Sequence, residues 1–446
     1  MIVVSIVSFC VAFLLVLETL IRKSDFFSPA RIYLFFHSLT LGISFLALDP
    51  AMTPFHPFTS FIYFGSGACF LLGTGIIYWL GKSQKAIQGT LDFKRYNWRV
   101  HWVFAFFLFF VFVWGMLKAY RGAGEFPLLA KENLRAIHTF FTVSWSSSAA
   151  LSFGGMVMVL FFLSIFRPRR LPKILNLGLW MTIVSVLIFA LALSRSGLVF
   201  FAFFAIVFYH QAIRRISIWK MSVLFLVFFT IFLGSAFLKF STVGKKEGLK
   251  VKPEEAVQIL LRVPYVYVAN NFWNLDYALN PTNLKERHPT TYGYTTLSGI
   301  LDLMALPGGN LGITIRESYH FDDQFMESAT KVKGLNTMGY QWGLYKDFGI
   351  AGVLLCPFLF GIFFGAVYLN VRRQPTILNL SMYSYLAFFV GWSWFLAMWE
   401  STNYIYGLFY VFLCCYFSSI IGSERLSLVR SSRLMGTESD ELRIPT

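Results

Sequence analysis

Charged side chains are scarce in this 446-residue chain: Asp, Glu, Lys and Arg together make 13% of it, against 57% hydrophobic residues. With a mean hydropathy of +0.62, that composition falls outside the soluble globular range and predicts an all-α, polytopic membrane protein, one integral domain over residues 1–446. Cysteine is nearly absent. Cys10, Cys69, Cys356, Cys414 and Cys415 all lie in apolar runs with no CxxC pair, which excludes a disulfide framework and a thiolate metal site. Neither HExxH nor a spaced DxD occurs, so no metal or other cofactor is expected. No internal repeat is visible, and ionisable residues inside the apolar runs, such as His37, are few. Both absences weigh against a transporter, which remains an alternative. The first 21 residues lack a basic leader and a small-residue cleavage site, which predicts a retained span.

A hydrocarbon core about 30 Å thick needs about 20 apolar residues per helix. That ruler predicts about eleven spans, near 2–21, 30–48, 57–80, 100–117, 143–166, 175–193, 197–212, 219–238, 348–371, 376–398 and 403–422. Lys and Arg accumulate in alternate connections. With the N-terminus outside, the cytosolic connections hold 21 bases against six acids, and the external ones 17 against 15. The excess of 38 bases over 22 acids is therefore an orientation signal. It places the C-terminus in the cytosol of a cell whose cytoplasmic membrane holds the protein. Nucleic acid would need a basic groove with base-stacking aromatics, and none is present, so no nucleic-acid partner is expected. The Ser/Arg/Glu-rich stretch 423–446 has too little apolar content to pack and is expected to be a disordered tail. Gly361 and Gly365 in one span, and Gly65, Gly67, Gly73 and Gly75 in another, predict close helix packing.

One polar interval, 239–346, separates spans eight and nine and is expected as a large external loop. Its first part, KPEEAVQILLRVPYVYVANNFWNLDYALNP, reads as a helix opened by Pro and acids and closed by Asn280-Pro281. Upstream, residues 125–142 read as a short interfacial helix. Near the end of the interval, Arg316, Glu317, His320, Asp322, Asp323, Glu327, Lys331 and Lys333 crowd into eighteen residues. Three readings stay open for them: a solvated loop, a divalent metal site, and a site for a pyrophosphate and a sugar hydroxyl.

Asn336-Thr337, then Tyr345-x-Asp347-Phe348-Gly349-x-x-Gly352 opening an apolar span, resembles the bacterial oligosaccharide repeat-unit (O-antigen, Wzy-type) polymerases. So do the short SRSG turn around Arg195 and the segment ANNFWNLDYAL at 269–279. The likeness covers most of the chain in layout and some thirty residues in motif. It implies a membrane glycosyltransferase that takes a polyprenyl-diphosphate-linked glycan, acts among membrane lipids and works beside a chain-length regulator. O-antigen ligases share the plan but carry a His near the end of the loop, where this chain has Asn336 and Met338. On this reading Arg195 neutralises the leaving diphosphate at a helix N-terminus, and Arg262, Arg287, Arg316 and Asn336 bind substrate. Glu317, His320 and Asp323 compete as the base, with Asp276 behind them. Asp347 is expected to organise the start of span nine, and Glu400 to lie in a short external turn.

Overall fold

The computed structural model describes residues 1–22, 24–46, 54–81, 96–129, 195–212, 253–280, 291–304 and 337–440, with a few single positions between them; for Arg195, 253–264, 302–304 and 422–440 the description is of the backbone alone. Among the described residues the chain is helical, with no strand. The helices are α1 (Ile2–Arg22), α2 (Pro29–Ser44), α3 (Pro57–Gly81), α4 (Trp98–Ala123), α5 (Arg195–Ala212), α6 (Pro253–Leu279), α7 (Tyr294–Met304), α8 (Gln341–Arg373), α9 (Ile377–Trp392) and α10 (Thr402–Asp440). Five of them, α1, α3, α4, α8 and the Thr402–Ile421 part of α10, are long and apolar enough to cross a membrane. They carry exposed Phe, Leu, Ile and Trp on their outer faces, the pattern of a helical membrane protein whose solvent is lipid. The span expected at 143–166, most of those at 175–193 and 219–238, and most of the interfacial helix at 125–142 lie outside the described residues.

Sequence sets the packing where helices meet most closely. Gly73 of α3 and Gly361 of α8 face each other's backbones: a Cβ on Gly73 would overlap Phe358 O, and one on Gly361 would overlap Phe70 O. The two main chains touch there, as the glycine spacing predicts. Gly365 packs on Ile77, while Gly75 has nothing near it, so only part of each stripe is used.

At one end of the bundle, the turn between α1 and α2 is tied to two other helices by one carboxylate. Asp25 is buried and accepts hydrogen bonds from Gln211 Nε2 (2.7 Å), Tyr368 Oη (2.7 Å) and the Phe27 amide (2.9 Å). His210 Nε2 lies 3.1 Å from it, and His210 Nδ1 accepts from the Ile216 amide, which leaves the ring proton on Nε2. Tyr383 Oη donates to Phe27 O, and Arg31 binds Glu18 through both guanidinium branches. Burial by itself would raise the Asp25 pKa, but His210, Gln211 and Tyr368 outweigh it and hold the carboxyl well below the usual carboxylate range. A depressed folded-state pKa gives stability that is present above the unfolded value, about 3.9, and is lost as pH falls below it. Thermal unfolding in detergent is therefore expected to show no contribution from Asp25 to pH dependence between about pH 5 and 8, and a fall in more acid buffer. Asp25→Asn should cost on the order of 3 kcal/mol at neutral pH, with a shallower acid limb.

Candidate functional site

Helix α8 is not one rod. Gly349 inside it has φ 63°, ψ −150°, a conformation open to glycine alone, and it divides the element into a first limb, 341–348, and a second, 350–373. A straight helix would set residues 340 and 360 about 30 Å apart. Instead the rings of Tyr340 and Phe360 both pack on Trp399, with centroids 5.8 and 4.8 Å away. The chain therefore doubles back at Gly349, and the first limb runs beside the second as a half-helix. Gly352 makes the reversal possible, since a Cβ there would collide with Phe348 Cβ and Leu344 O.

Helix α9 is also interrupted. It stops at Trp392, short of the expected 398, and residues 393–397 are non-helical before a 3₁₀ turn at Met398–Glu400. The start of the first limb lies beside the break in α9: the Tyr340 amide donates to Ser393 O (3.1 Å). Buried polar side chains tie them to α2 and α3. Tyr33 and Tyr340 share a hydroxyl hydrogen bond (3.0 Å), His37 bridges Tyr63 and Ser393 (3.0 Å each), and Gln341 Nε2 reaches Ser66 Oγ (3.4 Å). A narrow aromatic cleft lies among Tyr33, Phe70, Tyr340, Phe360, Phe364 and Trp399. Backbone leaves helical pairing inside a lipid-solvated bundle only where other protein groups satisfy it, and the Tyr340 amide on Ser393 O is one such contact.

The two helices of the polar interval close over the breaks. Asp347, at the end of the first limb, accepts from the amides of Thr295 (3.1 Å) and Thr296 (2.5 Å) and from Thr291 Oγ1. It caps the N-terminus of α7, so the acid of the Tyr-x-Asp-Phe-Gly stretch serves a different helix from the one it was expected to start. Helix α6 docks through Asn274 Nδ2 on Thr337 O (3.0 Å) and through Asp276, which accepts the His56 amide (2.9 Å) just before α3. Asp276, a reserve candidate for the base, is thus engaged in capping. Tyr267 of α6 stacks on Phe395 (5.3 Å).

Glu400 lies where these pieces meet. Its carbonyl accepts Ser298 Oγ (2.8 Å), its amide donates to Ala397 O (3.0 Å), and Gly299 lets α7 approach Trp399 O. Its carboxylate packs against Gly343 of the half-helix, where a Cβ would overlap Oε1 and lie 3.1 Å from Cδ. The sequence marks this residue as the lone acid of a short external turn, and Gly339-x-x-x-Gly343, a small-residue spacing just ahead of the motif, is a second signal.

Of the expected site residues, Arg195 is the first residue of α5 and Arg262 lies midway along α6. Ser196 lies beside Tyr404, one turn beyond Glu400, and Phe200 of α5 packs its ring on the same tyrosine (5.7 Å), so α5 begins near the junction. Arg262 stands one turn before Tyr265, which donates to Ser44 O at the end of α2 (2.9 Å). Arg287, Arg316, Glu317, His320, Asp323 and Asn336 lie outside the described residues. Among the described residues no group of three His, Cys, Asp or Glu is placed to hold a metal. The chain matches no family model, no curated protein and no solved structure.

Proposed function

We propose that the chain is a membrane glycosyltransferase that polymerises polyprenyl-diphosphate-linked oligosaccharide repeat units on the external face of the cytoplasmic membrane. One observation carries the reading. The three stretches that resemble the polymerases are far apart in sequence yet come close to one junction: 269–279 through Asn274 on Thr337, 345–352 through Asp347 on the start of α7, and the SRSG stretch through Ser196 beside Tyr404. Glycan transfer from a lipid diphosphate needs a cation for the leaving group and a carboxylate or imidazole for the proton. Arg195 starts a helix there, and Glu400 supplies a carboxylate.

The test is a gel of lipid-linked and surface glycan from cells with and without the gene. Loss of the ladder with build-up of single repeat units supports polymerisation. Full-length polymer left on its lipid would instead mark a ligase. A second reading, transport, draws on the pair of interrupted helices, since broken helices side by side also build substrate sites in carriers. An unchanged ladder in the deletion strain would favour it.

A further inference from the structure

We infer that the outer face of α7 is seated in one leaflet of the bilayer, so that part of the polar interval is embedded in lipid instead of forming a loop in water. The inference goes beyond the polymerase reading and holds whatever reaction the junction runs. It rests first on an inverted pattern of burial. In a helix on the surface of a water-soluble protein, apolar residues face the core and polar ones the solvent. Over 291–300 the order is reversed: Thr291, Gly293, Thr296, Ser298 and Gly299 are buried, while Tyr292, Tyr294, Leu297 and Ile300 are between 41% and 80% exposed. The inner face carries the hydrogen bonds. Thr291 Oγ1 and the amides of Thr295 and Thr296 donate to Asp347, Ser298 Oγ donates to Glu400 O (2.8 Å), and Gly299 lies against Trp399 O. Polar groups turned inward and apolar ones outward are the arrangement that a lipid solvent selects.

A second observation identifies what covers the face. The second limb of α8 exposes Leu355, Leu359 and Phe363 at every fourth residue, the outward stripe of a helix long and apolar enough to cross a membrane. The α7 face continues that stripe past the bend at Gly349. Ile350 and Phe348 are exposed on either side of the bend, Gly293 brings α7 against the Phe348 ring, and Leu297 lies beside the same glycine. Lipid that covers the stripe therefore covers α7 as well. With eleven residues, α7 is about 16 Å long, roughly half of what a crossing needs. It stays in one leaflet, with Tyr292 and Tyr294 at its start placed for the headgroup level, where tyrosine rings collect. The junction on which α7 packs then lies near headgroup depth, the level of a diphosphate carried on a lipid.

The test uses the full chain with Cys10, Cys69 and Cys356 changed to Ala and the buried Cys414 and Cys415 kept. A single Leu297→Cys or Ile300→Cys is labelled with a fluorophore, and the protein is reconstituted in vesicles of phosphatidylethanolamine and phosphatidylglycerol. Leu355→Cys on the stripe of α8 is the lipid reference, and Gln374→Cys, exposed between α8 and α9, is the water reference. Brominated lipid is expected to quench the labels at 297 and 300 to within about twofold of the label at 355. Iodide on both sides of the membrane is expected to leave them bright while it quenches the label at 374. Quenching of 297 and 300 by iodide and not by lipid marks a solvated loop and overturns the inference. Labels insensitive to both quenchers mark a face covered by a second copy or another segment of the chain, which overturns it too. If the labelled chains cannot be recovered, Leu297→Asp decides without a label. An exposed position in water tolerates the charge; in lipid it should lower the folded chain recovered from membranes about tenfold or more. Recovery equal to that of the wild type overturns the inference.

Discussion

Arg195→Ala is expected to abolish the long bands of the glycan ladder and to leave single lipid-linked repeat units, a loss of about 10²- to 10³-fold in chain extension. The reason begins with where the residue stands. Arg195 is the first residue of α5, and a helix start is where backbone amides favour an anion. Phe200, one turn further along α5, packs its ring on Tyr404 (5.7 Å) and Ser196 lies beside that tyrosine, which keeps the helix start near the polar junction. A leaving diphosphate gains charge in the transition state, and a fixed guanidinium binds two of its oxygens at once. The competing account is an arginine that reaches out to lipid phosphates as an anchor. Arg195→Lys distinguishes them. An anchor needs only a long cation, so Lys would restore the full ladder. A diphosphate clamp needs the planar fork, so Lys should recover only a fraction of the rate. The measurement is the ladder and the pool of single units, read at equal membrane levels of each variant.

Much of the fold is legible in the sequence because lipid as solvent imposes one strong rule, a run of about 20 apolar residues per crossing. The windows for α1, α3, α4, α8 and α10 fall where hydropathy puts them. The breaks escape that rule. Residues 393–397, Ser-Trp-Phe-Leu-Ala, are as apolar as the helix before them, so a window averaged over twenty positions reads straight through. Gly349 lies within a stretch that reads as the opening of a span, and only its positive φ makes it a reversal. Asp347 looks like a helix-starting acid, which it is, but for α7, some fifty positions earlier in the chain. Glu400 stands out in the sequence as a lone acid in a short turn, but its packing was not legible there because its surroundings come from Gly343, Ser298 and Ala397, two of them far away in sequence. Hydropathy reports what faces lipid. It carries little about which polar groups meet inside.

Replacing Gly73 or Gly361 by Leu is expected to remove folded protein from the membrane, a destabilisation above about 4 kcal/mol. Each glycine lies against the other helix's main chain: a Cβ at 73 would come within 3.0 Å of the Ile362 amide as well as overlapping Phe358 O, and one at 361 would come within 3.0 Å of the Thr74 amide as well as overlapping Phe70 O. Backbone cannot rotate aside as a side chain can, so the helices must separate, and dispersion contacts along the whole seam are lost with them. Even Ala should cost about 1–3 kcal/mol at either site. Gly75, two residues along α3 with nothing within 4 Å, is the control. Gly75→Ala should be neutral or slightly stabilising, since Ala favours helix over Gly by up to about 1 kcal/mol. Thermal unfolding of the purified variants in detergent gives the comparison, and equal melting of Gly73→Ala and Gly75→Ala would refute the close approach. The same seam bears on function. Phe360 and Phe364, beside Gly361, line the aromatic cleft, and Phe360 supports Trp399 next to Glu400. A variant such as Gly361→Ala that still reaches the membrane should therefore lose chain extension out of proportion to its loss of stability, because moving α8 by even 1 Å displaces the floor on which the carboxylate is held.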